Sequence, residues 1–336
     1  MKKVLALLLA VVMVIGMTTM AMADVATDGI NIPVKFKLVG EGTSPAENFT
    51  IQLVSKTETT HAGVEDDDVP NVTITPAEFA AGAATTDGAS GNINVKANGT
   101  YTVPGHYKYT FKQVAVNDAG VVIDEANVIV NVLVTSDTAG NLTVADMTAQ
   151  VGDKKVSNEG GLENTYSAGK LEVSKTVTGN LGDRSKYFRV TVTLTGEDGK
   201  DYSKAIVTVA DGSKDSNPTT IAIGTPTVFE IKDGDTIKFN NIPYGVTYSV
   251  AEDNYTTEEN GKYEAAKYTV NGGTATTTAV SGEAVNSATE TVGIENHKQG
   301  TVDTGIVLDS LPYILIGVAV AAAAVLMVAK KRRIED

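Results

Sequence analysis

From Ile30 onward, apolar side chains return at every second position, and helical spacing is nearly absent from the interior. Successive side chains on a strand point to opposite faces of a sheet, so this period selects half-buried strands over helices. Ile30, Ile32, Val34, Phe36 and Leu38 form one such run. Phe49, Ile51 and Leu53 form a second, Tyr107, Tyr109 and Phe111 a third, and Val128, Val130, Val132 and Val134 a fourth. Further on, Phe188, Val190, Val192 and Leu194 alternate, then Val246, Tyr248 and Val250. Gly, Asn, Asp and Thr bound the runs, as turns require. Many short strands between turns predict an all-β chain built from β-sandwiches.

The two halves resemble each other. Each carries a proline–glycine turn before a Tyr-rich strand, "VPGHYKYTFKQV" and "IPYGVTYSVAED", and each closes on a Glu-Asn segment, "GLENTY" and "GIENHK". This is a repeat of about 130–140 residues, the size of an ordinary domain. The boundary is expected near "NTYSAGK", Asn164 to Lys170, giving domains over 24–167 and 168–299.

The ends carry a different signal. Lys2 and Lys3 precede an apolar run that reaches Ala21-Met22-Ala23, the order of a secretory signal peptide over 1–23. A second apolar run, Leu311 to Ala329, contains no charge and is followed by Lys330, Lys331, Arg332 and Arg333. As a helix it would reach about 28 Å, roughly a bilayer core, with the basic cluster kept on the cytoplasmic side. The chain is therefore expected to be exported and held by its tail. Its 41 Asp and Glu against 27 Lys and Arg, net −14, argue against nucleic-acid binding, which wants a basic face. There is no Cys, so an exported protein of this kind needs large cores or a staple other than a disulfide.

Strand parity also singles out misplaced polar residues. In "LEVSKTV", Lys175 shares a face with Leu171, Val173 and Val177; Glu252 continues the stripe of Val246, Tyr248 and Val250; Asn296 continues that of Val292 and Ile294. An unpaired charge in a core is very costly, so these three are expected to meet. Burial lowers the pKa of an amine and raises that of a carboxyl, and a neutral amine is a nucleophile. A protonated Glu252 could then polarise the Asn296 carboxamide for attack by Lys175, with loss of ammonia. Parity alone leaves this open against an ordinary buried ion pair or edge positions open to water.

Three segments, "LEVSKTVTGNLGDRSKYF", "FEIKDGDTIKFNNIPYGVTYSVAEDNY" and "GIENHKQGTVDTG", together resemble the second domain of two-domain streptococcal backbone pilins of the FctA type. The resemblance implies two tandem Ig-like (CnaB-like) β-sandwich domains. It also implies a Lys175–Asn296 isopeptide bond with Glu252 as its catalyst. The first half is similar to the family more loosely. Its closing Asn matches Asn164, but Gln113 stands where the Glu belongs and Val34 where the Lys belongs, with Lys35 and Lys37 pointing outward. That half is expected to lack the bond, unless a strand bulge turns Lys35 inward.

The region 300–336 resembles a sortase sorting signal: "TVDTG", Thr301 to Gly305, then the apolar span and the basic tail. Thr301 and Val302 depart from the common Leu-Pro start. The resemblance implies cleavage between Thr304 and Gly305 and joining of Thr304 to a lysine late in the first domain. "GDKKVSNEGGLEN" offers Lys155, with Lys154 beside it, in a segment about two residues longer than the family's. Implied partners are a pilin-type sortase, identical subunits, a tip adhesin and cell-wall peptidoglycan, in a pilus at the cell surface. The alternative is a non-polymerised wall-anchored adhesin. A secreted enzyme is disfavoured, because no nucleophile–base set stands outside the three polar residues. "EDDD", Glu65 to Asp68, reads as a solvated loop, and His61, His106 and His297 are scattered, so neither a metal nor a cofactor is expected.

Overall fold

In a computed structural model the described residues are 28–300, apart from 62, 212 and 213. The predicted signal peptide, Thr304, Gly305 and the apolar run 311–329 lie outside them. Among the described residues, no helix is long and apolar enough to cross a membrane. The named elements are strands, apart from single 3-10 turns at Asp66–Asp68 and Val156–Asn158.

The organising element is one long strand, Leu162–Thr178. Its burial alternates along nearly its whole length, as its sequence parity requires. Its first part pairs in parallel with Ile30–Gly40, and its second part in parallel with Thr289–His297. Thr236–Pro243 runs antiparallel beside the second part. The same strand thus closes the first half and opens the second. Where the sequence suggested a boundary, the chain runs on without a break.

In the first half, Ile30–Gly40 also pairs with Ala89–Ala97, and Val72–Thr75 lies beyond it. The facing sheet orders Lys154–Lys155, Leu142–Val151, Val128–Ser136, Gly105–Gln113 and Ile51–Glu58. Phe36, Phe49 and Phe79 meet edge to face between the layers, with centroids 5.0–5.7 Å apart. Val128, Val130, Val132 and Val134 line the same core. The Phe49–Leu53 run departs from its expected form. Thr50 interrupts the strand, and Leu53, still opposite the inward Phe111, lies on the edge strand of its sheet and is 39% exposed. A register shift between Leu53 and Ser55 reverses the parity beyond it, so that Lys56 and Glu58 stand opposite Tyr109 and Tyr107.

In the second half, the facing sheet orders Thr227–Ile231, Phe188–Thr195, Thr247–Glu252 and Val280–Ala284. Leu171, Val173, Val190, Val192, Tyr248, Val250, Val292 and Ile294 fill the space between. Gly169 sits where the long strand crosses from one half to the other. A Cβ there would lie 2.2 Å from the Ser287 carbonyl oxygen, so only glycine fits.

Polar contacts also tie the halves together. Asn241, whose positive φ of 64° Asn tolerates well, accepts from Thr43 N at 2.9 Å and from the Tyr166 hydroxyl at 3.0 Å, both through Oδ1. Lys204 Nζ reaches Asp118 Oδ2 at 2.6 Å and lies 3.7 Å from Glu47 Oε1.

Candidate functional site

Lys175 lies on the long strand opposite Ile294, and Asn296 lies opposite Val177 on the neighbouring parallel strand. Both side chains point into the sandwich and are buried. A turn holds the backbone of Lys175 from the other side: Lys175 N donates to Asp235 O, and Gly234 N donates to Lys175 O, each at 3.0 Å. Asp233 Oδ1 accepts from Val177 N at 2.7 Å. Glu252 comes from the opposite sheet, at the end of Thr247–Glu252, and its backbone N–H donates to the Tyr268 hydroxyl at 2.8 Å. The three residues singled out by parity therefore meet across the two layers.

Lys175 Nζ lies 3.0 Å from Glu252 Oε1, with both side chains wholly buried, and also contacts Asn296 Oδ1. The Phe188 ring covers the amine, with its centroid 4.3 Å from Nζ. Tyr255 and Tyr263 pack edge to face on Phe188 and keep this end apolar. Desolvation pushes the Lys175 amine down, against the attraction of Glu252, and pushes the Glu252 carboxyl up, against that of Lys175. Both shifts favour the neutral pair. Neither Glu252 oxygen has a well-aligned hydrogen bond, and what faces them is the Lys175 amine and Asn296. A buried amine, carboxyl and carboxamide at such distances can exchange one amide for another.

The equivalent place in the first half is built differently. Asn164 lies opposite Phe36, so the position matching Lys175 is Val34, which is fully buried. The register runs from Val34 to Gly40 without a shift, so no bulge turns Lys35 inward. Lys35 is exposed, and Lys37 pairs with Glu163 at 2.6 Å. Gln113 and Asn164 hydrogen-bond each other reciprocally, at 2.8 and 3.1 Å. Asp124 completes the set: its carbonyl accepts from Gln113 Nε2 and its N–H donates to Asn164 Oδ1, both at 2.9 Å. Among the described residues, the hydrogen-bond partners of this carboxamide are Gln113 and Asp124, and none is an amine.

Lys154 and Lys155 form a short exposed strand against Gln150 and Val151, and Lys155 leads into the 3-10 turn Val156–Asn158. Asp66–Asp68, in the acidic stretch, is an exposed 3-10 turn. His61 and His106 are less scattered than their spacing suggests, because their backbone N–H groups converge on the buried Glu58 carboxylate. Burial alone would raise the Glu58 pKa; hydrogen bonds from Thr60, His61 and His106 hold it down at about 2.

Sequence reasoning missed three things here. Phe188 follows the inward parity of its strand, and that signal could have placed it beside the amine. Tyr268 and the cluster of Glu47, Asp118 and Lys204 carry no periodic signal, since they come from strand ends and loops far apart in the chain.

Residues 33–167 match the family described as Spy0128-like isopeptide containing domain, FctA. Residues 169–298 match DUF7601, a domain of unknown function. The half matched to the family named for isopeptides is thus the one with Val34 and Gln113, while the Lys–Glu–Asn set lies in the other. The chain is 31% identical over 183 residues to a pilin of Streptococcus pyogenes serotype M1, covering 50% of this chain and 51% of that protein. It is 32% identical over 143 residues to the pilus tip adhesin Cpa of Streptococcus pyogenes, covering 42% of this chain and 18% of that protein. The chain therefore spans about half the length of the curated pilin it matches, and less of the adhesin. In fold it is similar to the major pilin of Streptococcus pyogenes, at TM-score 0.50 and 21% identity, over 82% of this chain and 99% of that one. An alanine variant of that pilin gives TM-score 0.51 and 22% identity, over 82% and 100%. The likeness to the Spy0128-like isopeptide containing domain family, FctA, thus rests on residues 33–167, while the likeness in fold to the major pilin extends over both halves.

Proposed function

We propose that this chain is a structural subunit of a covalently polymerised cell-surface pilus. On this reading its halves are tandem Ig-like (CnaB-like) sandwiches, the second stapled by a Lys175–Asn296 amide. A pilin-type sortase then joins Thr304 of one subunit to Lys155 of the next. The observation that carries the reading is a wholly buried lysine 3.0 Å from a wholly buried carboxyl and touching a carboxamide.

The chemistry follows from that environment. In the neutral form of the buried pair, which both shifts favour, the proton is on Glu252 and Nζ has a free lone pair. Nζ adds to Cγ of Asn296 while Glu252 protonates the carboxamide oxygen, so that no bare oxyanion forms in the core. Glu252 then takes a proton from Nζ and delivers one to Nδ2, which leaves as ammonia while the hydroxyl oxygen returns its proton to Glu252 and the carbonyl re-forms. One C–N bond forms, one breaks, and Glu252 ends as it began. The amine, carboxyl and carboxamide are all held by strands, so the reacting groups are positioned by folding itself. Glu252 acts only once, within its own chain, and the protein is no enzyme toward other molecules.

The cross-link suits a fibre. Head-to-tail joining repeats one heterologous contact and need not close, so it yields a filament. Lys155 lies a few residues before the long strand, which contains Lys175, and Asn296 lies just before the described end at Gly300. Pull applied between Lys155 and Thr304 would pass along that strand, through the amide and out, bypassing most of both sandwiches. The first half, whose Asn164 faces Gln113 in place of an amine, would stand largely outside this load path. The subunit would be held in the membrane through 311–329 until cleavage, then passed to the fibre and the peptidoglycan. The likeness to a tip adhesin fits a fibre ending on such a protein, and it also favours the second reading, an unpolymerised wall-anchored adhesin.

Intact-mass measurement of residues 28–300 tests the staple: loss of one ammonia is expected, abolished by Glu252→Ala. A mass equal to the unmodified chain refutes it. A ladder of high-mass species on a denaturing gel separates the polymerised from the unpolymerised reading.

A further inference from the structure

A cavity of about 240 Å³ abuts the Lys–Glu–Asn site, with Tyr255 in its lining between it and Phe188. Its floor is Glu252, Asn296 and the buried Tyr268, and its mouth includes the exposed Asn254, Thr256 and Thr277. Lys175 does not line it. The cavity therefore reaches the site at Glu252 and Asn296 and not at Lys175, whose amine lies under the Phe188 ring.

We propose that this cavity is the exit for the ammonia released when Lys175 displaces Nδ2 of Asn296. The inference rests on the amide-transfer reading above and concerns how that reaction becomes irreversible. Exchanging one amide for another changes the bonding little, so ammonia retained beside the new amide could attack it and restore Asn296. Released through the cavity, it meets water and takes up a proton, and as ammonium it is no longer a nucleophile. Asn296 is only 1% exposed, so without this opening the product would have to cross packed core. Tyr268 contributes by position: its hydroxyl accepts the Glu252 backbone N–H and fixes the strand end that carries the carboxyl between amine and exit. The arrangement keeps the nucleophile under Phe188 and gives the leaving group a route that does not pass the amine.

The test blocks the mouth without touching the three reacting residues. Ala279 is exposed and lines the cavity; Ala284, on the strand that follows, is exposed and does not line it. In pulse-labelled full chain, followed by intact mass over chase times, Ala279→Trp is expected to slow ammonia loss several-fold, with Ala284→Trp matching the parent. Thr277→Trp, on another part of the lining, should slow it as well. Each substitution is also made in an Asn296→Ala background, where an unchanged melting temperature establishes that folding is intact. If either cavity variant folds normally and loses ammonia at the parental rate, the exit assignment is overturned. If the parent itself never loses ammonia, the amide-transfer reading fails instead, and the two failures are distinct.

Discussion

Replacing Asn296 with alanine removes the acceptor of the proposed amide while leaving Lys175 and Glu252 to pair across 3.0 Å. The loss can be sized from the loop that the bond closes. Lys175 and Asn296 are 121 positions apart, and cross-linking a loop of that length removes about 16 cal/mol/K from the unfolded chain, or about 5 kcal/mol at room temperature. The unit spanning 169–298 should unfold with roughly 2.1 cal/mol/K per residue, so this corresponds to a fall in melting temperature of about 15–20 °C. Calorimetry on residues 28–300 should show the second half melting that much lower in Asn296→Ala, with the first half little changed. Intact mass on the same samples reports whether the bond is present. A fall of less than about 5 °C, in a variant that has lost the bond against a parent that has it, would refute the chain-entropy argument.

Three further outcomes follow. Grafting Val34→Lys with Gln113→Glu rebuilds the second-half set around Asn164, and peptide mapping should find the introduced lysine linked to Asn164 with a second ammonia loss; neither change alone should suffice. Lys155→Arg should abolish the polymer ladder, and a ladder surviving Lys155→Arg and Lys154→Arg, singly and together, excludes both lysines as the linking residue. Burial and the adjacent Asp118 raise Glu47 from its ordinary 4.5 to about 7, against the pull of Lys204. The folded state therefore holds that proton more tightly than the unfolded state, and stability falls as pH rises from about 4.5 through about 7. Glu47→Gln should flatten that dependence in thermal melts across this range, and an unchanged slope would show that Glu47 does not set it.

Much of the site was legible because burial enforces parity. Lys175, Glu252 and Asn296 each extend an apolar stripe, and a stripe buried on one face leaves a polar member nowhere to go but toward others like it. The same logic placed Val34 and Gln113 inward in the first half. What stayed hidden depends on contacts between segments that share no period. The long strand Leu162–Thr178 reads as two strands around a boundary, since nothing local reveals that Gly169 lets one strand serve both halves. Leu53 looks buried until the strand order leaves it at a sheet edge. Lys204, Asp118 and Glu47 look like surface charges until the halves are docked. The cavity beside Glu252 is a gap, and no residue pattern announces a gap.

The central claim is that the second half staples itself and the first does not. Proteolytic digestion of residues 28–300 followed by mass spectrometry addresses it directly. The account predicts one branched peptide joining Lys175 to Asn296, lighter than its two parts by one ammonia, and an unmodified peptide containing Asn164. Separate, unmodified peptides containing Lys175 and Asn296, or a branched peptide containing Asn164, would contradict it.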